Sequence, residues 1–148
     1  QNAAAASHAR SSYQQSLRGV TAGQVMKRDC AGVPGQFSLQ RLVDERILGG
    51  GQRCFFVADE GSLRGMLTLR DIAKVPRADW SWVTAEKAMV PWERLIWVEP
   101  GTQLLEALQK MHDADVAQLP VMEGDRLVGM LSREEILRYV RLRDELRV

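Results

Sequence analysis

The chain has 148 residues, 45% of them hydrophobic and 26% charged, and a net charge of +1 at pH 7. This is the composition of a globular protein with room for one ordinary domain or two small ones, burying roughly 70% of its unfolded surface. Balanced charge argues against the basic face of a nucleic-acid binder, and apolar runs no longer than "CFFVA" at 54–58 fall far short of the ~20 residues of a membrane span.

In chain order, the first element is a leader over 1–19, "QNAAAASHARSSYQQSLRG". It is rich in helix formers, pairs Tyr13 with Leu17 at i,i+4, and ends at Gly19, a natural helix stop. It opens with Gln1 and lacks the charged start and apolar core of a signal peptide. The expectation is a connector helix arriving from upstream sequence of a larger protein.

A short extended piece follows at Cys30–Val33. After Ser38 an apolar stripe at helical spacing (Leu39, Leu42, Val43, Ile47) predicts a helix that ends at Gly49-Gly50-Gly51. The runs "CFFVAD" and "LRGMLT" around the turn "EGS" predict a hairpin. A second helix is expected from Thr68 to about Val75, stopped by Pro76. The same order then recurs: an extended piece at Ile96–Val98, and a helix from Thr102 with Leu104, Leu105, Leu108 and Met111. The hairpin "QLPVME"/"RLVGML" follows, then a helix from Ser132 to about Leu146.

The recurrence is a sequence repeat. "VTAGQVM" from Val20 matches "VTAEKAM" from Val83, "PGQFSLQRL" from Pro34 matches "PGTQLLEAL" from Pro100, and "FFVADEGSLRGML" from Phe55 matches "LPVMEGDRLVGML" from Leu119. Two repeats are read, 20–82 and 83–148, each too small to be stable alone and expected to share a core.

Each repeat carries one copy of an octet, "GMLTLRDI" at 65–72 and "GMLSREEI" at 129–136. Read locally, Ser/Thr-x-x-Asp/Glu before an apolar run is a capping box, in which the hydroxyl accepts from the backbone N–H three residues on and the carboxylate reaches back. Each such cap contributes about 1 kcal/mol. Glu135, with its longer arm, is expected to be the better partner in that box.

The twice-repeated unit resembles the cystathionine-β-synthase (CBS) domain, which occurs in tandem as a Bateman module. The likeness covers 20–148 and rests on the "VTAxxxM" openings, the "LPV" strand at 119–121 and the two "GML[TS]" ends. It implies an α/β (α+β) fold of two CBS repeats, each a small sheet packed against two helices and related by a pseudo-twofold axis. It also implies a homodimer, with Leu142, Leu146 and Tyr139 on a second apolar stripe of the last helix. In that family the Thr/Ser and Asp of "G-x-x-[TS]-x-x-D" hold the ribose of an adenine nucleotide. Carried over, these are Thr68 and Asp71 in the first repeat and Ser132 in the second; Glu135 departs from the pattern and is the weak member. A carboxylate repels phosphates, so a base is needed nearby. Lys27 and Arg28, which precede the first repeat's helix, and Arg70 are the phosphate candidates, while Val90-Pro91 replace the pair in the second repeat.

The leader, with "SYQQ" before "LRGV", and "RDIAKVPRADW" between the repeats resemble the C-terminal regulatory tail of site-2-protease-type membrane zinc metalloproteases. That resemblance implies a non-enzymatic, cytoplasmic regulatory segment that needs no cofactor, takes an adenosine-containing ligand such as AMP, ADP or ATP, and modulates an attached protease. The alternative reading is a ligand-free dimerisation scaffold. No catalytic or metal-ligating set is read: Cys30 and Cys54 are taken as reduced thiols, and His8 and His112 lie far apart. All four tryptophans (Trp80, Trp82, Trp92, Trp97) fall around the junction of the repeats, where the connector is expected to pack on the core, the alternative being a subunit or parent-domain interface.

Overall fold

The computed structural model describes residues 17–28 and 30–148. The connector helix expected over 1–19 lies outside the described residues except at Leu17–Gly19, which form a turn in which Gly19 adopts φ +77°.

The elements are α1 (Ala22–Val25), β1 (Ala31–Val33), α2 (Leu39–Leu42), β2 (Cys54–Asp59), β3 (Ser62–Thr68), α3 (Leu69–Ala73), α4 (Ala85–Ala88), β4 (Val90–Pro91), α5 (Leu104–Ala114), β5 (Gln118–Glu123), β6 (Arg126–Ser132) and α6 (Arg133–Leu146). Single 3₁₀ turns cover Arg77–Asp79 and Trp92–Arg94. The helix expected after Ser38 is present, but it widens into a π-helix over Val43–Leu48. Gly49 N–H reaches back five residues to the Asp44 carbonyl at 3.1 Å, a looser turn than the apolar spacing foretold. In the first hairpin Glu60 and Gly61 both have positive φ, the pairing that a tight two-residue turn requires.

Two compact units result. One is Cys30–Leu95; the other is Ile96–Val148 together with the described residues 17–28. They do not follow the sequence boundary between 82 and 83.

In the unit Cys30–Leu95 the sheet order is β1-β2-β3-β4, with β1 parallel to β2 and the other pairs antiparallel. Val33, Phe55, Val57 and Leu67 on one face of the sheet pack against Leu39, Leu42, Val43, Ile72 and Ala85 from the helices. Burial of each large side chain there contributes about 1.5–3 kcal/mol. Trp80 closes the edge of this core and donates its indole N–H to the Val75 carbonyl at 3.0 Å. Trp82 remains 60% exposed, its ring under Lys87 Nζ at 5.8 Å, so only part of the connector packs as expected.

The second unit repeats the plan on a smaller sheet. β5 and β6 form the hairpin. Val98 bridges to Val121 in parallel, where β1 stands in the first unit, and Lys27 bridges to Met130 antiparallel, where β4 stands. Its core joins Leu119, Val121 and Leu131 to Val20, Ala22, Val25, Leu104, Ala107, Met111 and Ile136. Tyr139 packs against that core. It is not part of an exposed stripe, whereas Leu137, Leu142 and Leu146 are exposed.

Each "VTAxxxM" stretch thus packs on the hairpin of the other sequence repeat: 20–27 on β6 and 83–91 on β3. The glycine of each octet explains the fit. A Cβ on Gly65 would collide with the Val90 carbonyl oxygen and lie 2.7 Å from Met89 Sδ; on Gly129 it would lie 2.6 Å from Met26 Sδ and 2.8 Å from the Lys27 carbonyl oxygen. The bare backbone lets the methionine and the following extended residue lie directly on the strand.

Candidate functional site

The two octets end the central strand of each unit and start the helix that follows. At the first, Thr68 is an extended N-cap residue (φ −117°, ψ 169°). Its hydroxyl accepts from Asp71 N–H at 3.4 Å, while Asp71 Oδ2 accepts from both Thr68 N–H and Thr68 Oγ1 at 3.0 Å. The capping box is complete on one carboxylate oxygen. Among the described residues the other, Oδ1, takes no hydrogen bond and Asp71 forms no ion pair. Both residues are half-buried, so the second oxygen keeps its acceptor capacity.

At the second octet Ser132 caps α6 by accepting from Glu135 N–H at 3.1 Å, but the reciprocal bond is missing. The expectation that Glu135 would be the better box partner is overturned. Its Oε1 lies 3.3 Å from Lys27 Nζ and its Oε2 3.9 Å from Arg138. The cause is the backbone pairing of Lys27 with Met130, at 2.8 and 2.7 Å. That pairing brings an ammonium to the carboxylate, and a charged partner competes successfully with a neutral N–H.

Lys27, read as a phosphate candidate for Thr68 and Asp71, pairs with Glu135 in the unit that also carries Ser132. At the first octet the matching place is held by Val90, which pairs with Met66. Within its own unit the first octet thus has Val90 on the flanking strand, whereas the second has Lys27, whose ammonium reaches the Glu135 carboxylate. Arg28, like Lys27, precedes Cys30 and is exposed, and Arg70 is exposed at the start of α3.

Two residues missed in the sequence face the octet hydroxyls across the hairpins. Cys54 is the register partner of Thr68, and Gln118 that of Ser132. Gln118 Oε1 is buried and takes no hydrogen bond within the described residues. The equal offset of Cys54 and Gln118 in the two repeats was the available signal. On the face of β2 that bears Cys54, the Phe56 ring lies against Gly32: a Cβ on that glycine would be 2.9 Å from Phe56 Cε2 and Cζ. Thr68 thus shares its face of the sheet with Cys54 and Phe56.

Among the described residues no group of three His, Cys, Asp or Glu side chains could hold a metal ion, and no helix is long and apolar enough to cross a membrane.

The family profile described as "CBS domain" matches residues 22–78 and 87–142. A protein of Synechocystis sp. that bears the name of a zinc metalloprotease is 23% identical over 109 residues, 72% of this chain but 29% of its own length. The chain thus spans less than a third of that relative. Among solved structures, a signal-transduction protein with CBS domains from Burkholderia ambifaria superposes with a TM-score of 0.72 at 21% identity, covering 82% of this chain and 93% of that one. The cytosolic domain of the Mg2+ channel MgtE in complex with ATP gives 0.62 at 27% identity, covering 80% and 48%. CBSX2 in complex with AMP gives 0.70 at 19% identity, covering 86% and 99%.

Proposed function

Since the chain belongs to the CBS-domain family as a tandem pair, we propose that it is a non-enzymatic regulatory module that binds an adenine nucleotide at Thr68 and Asp71. The observation that carries this reading is the division of labour on Asp71. Oδ2 holds the cap, while Oδ1, with no bond among the described residues, is an acceptor for the two hydroxyls of a ribose. The face shared by Phe56, Gly32 and Cys54 offers a planar base an apolar bed. Arg70, one residue before Asp71, is the phosphate candidate on the same unit. At the second octet Ser132 and the buried Gln118 amide keep polar groups, but Glu135 is drawn to Lys27, and we assign that octet the weaker role. Likeness to structures solved with ATP and AMP supports the ligand class.

The likeness to the Synechocystis protein supports a link to a zinc metalloprotease, and we read the chain as the cytoplasmic regulatory segment of a membrane-bound one. A thermal-shift series with AMP, ADP, ATP and S-adenosylmethionine tests the ligand class: an upward shift with one of them is expected, and no shift with any of them refutes it. The second reading, a dimerisation scaffold without ligand, is favoured by the exposed Leu137, Leu142 and Leu146 on α6.

A further inference from the structure

β1 and β2 run parallel with Ala31 opposite Phe55, Gly32 opposite Phe56 and Val33 opposite Val57. Extending that register one residue past the end of β1 would set Cys30 opposite Cys54. The face is fixed by the close approach of Phe56 to Gly32, since residues two positions earlier on each strand lie on the same side. On that extension the two thiols share the face that carries Thr68, the partner of Cys54 on the other flank of β2. Neither belongs to a disulfide, and both are partly accessible.

Neighbouring strands stand about 4.7–4.9 Å apart, inside the range of about 4.4–6.8 Å between Cα atoms that a disulfide spans. Closing the bridge needs the Cβ atoms to approach to about 3.5–4.5 Å. That is a small movement at a strand end, because Cys30 lies just outside β1.

We propose that Cys30 and Cys54 form an oxidisable dithiol site whose intramolecular disulfide closes beside Thr68. The oxidant class is a low-molecular-weight disulfide. One cysteine thiolate attacks it, forming a mixed disulfide and releasing one small thiolate. The second cysteine thiolate then attacks the protein sulfur of that mixed disulfide and releases the other. Two protein thiols and one small disulfide become one protein disulfide and two small thiols. Closure draws Cys54 toward β1 and away from β3, so it displaces the strand end that presents Thr68. This last consequence rests on the proposed nucleotide site; the dithiol does not.

The test is intact-mass analysis of the full chain treated with excess glutathione disulfide. The expected wild-type product has lost two hydrogens, carries no adduct, remains a single chain on non-reducing electrophoresis and reverts with reductant. Cys30→Ser and Cys54→Ser should each stop at one glutathione adduct, and either variant alone suffices should the other not fold. Wild-type protein that accumulates two adducts, stays unreacted or cross-links between chains overturns the proposal. Titrating reduced and bridged protein with AMP and ATP then reads the consequence, a loss of at least about tenfold in affinity, the weight of one hydrogen bond to a charged group. Reduced protein that binds neither nucleotide refutes the nucleotide site and leaves the dithiol judged by mass alone.

Discussion

Lys27 Nζ stands 3.3 Å from Glu135 Oε1, although 108 positions of sequence separate the two residues. The contact exists because the stretch that opens the first repeat packs on the hairpin of the second. It makes the two octets chemically unequal, one with a carboxylate committed to its own cap and one with a carboxylate committed to a lysine.

Stability should reflect that inequality. Asp71→Ala removes the acceptor of two hydrogen bonds and should cost about 1–2 kcal/mol. Glu135→Ala leaves the Ser132 cap in place and loses an ion pair whose lysine is half exposed, worth at most about 1 kcal/mol after screening. Urea unfolding of both variants decides it; a larger loss for Glu135→Ala would contradict the caps as described.

Gly65→Ala and Gly129→Ala should each destabilise by about 1–3 kcal/mol through overpacking. In both cases a backbone carbonyl as well as a methionine sulfur stands in the way. Truncating Met89 or Met26 alongside should restore only part of the loss. Denaturation midpoints check this, and alanine tolerated without cost at either glycine would refute the close approach.

Trp80→Phe should cost about 1 kcal/mol, the value of its bond to the Val75 carbonyl. Trp82→Phe, at a 60% exposed site, should stay within about 0.5 kcal/mol. Equal losses in chemical denaturation would show that the connector packs otherwise.

If α6 mediates self-association, replacing Leu137, Leu142 and Leu146 together by serine should convert a dimer to a monomer in sedimentation with little loss of stability. Unchanged sedimentation of a dimer would place the interface elsewhere.

Much of this was legible in the sequence. The hairpins, the helix behind each and the capping role of Thr68 and Asp71 follow from local patterns, because turn chemistry and cap spacing act over three or four residues. The exchange of the "VTAxxxM" stretches was not, since a repeat does not say which of two like hairpins its flank will pair with. The misread role of Glu135 as a box partner and its pairing with Lys27 both descend from that one long-range choice. The widening at Val43–Leu48 was hidden because an apolar stripe at helical spacing does not distinguish an α-turn from a π-turn. Cys54 and Gln118 were passed over because their meaning lies in cross-strand register with Thr68 and Ser132, not in their own neighbourhoods.

The most direct test of the account is calorimetric titration of the wild-type chain, Asp71→Ala and Glu135→Ala with AMP, ADP and ATP. Hydrogen bonds to a charged group are worth about 1.5–3 kcal/mol. The account therefore predicts that wild type binds at least one of the three, that Asp71→Ala weakens that binding by roughly 10- to 150-fold, and that Glu135→Ala leaves it nearly unchanged. Equal losses in the two variants would show the octets to be equivalent, and a wild-type chain that binds none of the three would contradict the nucleotide site altogether.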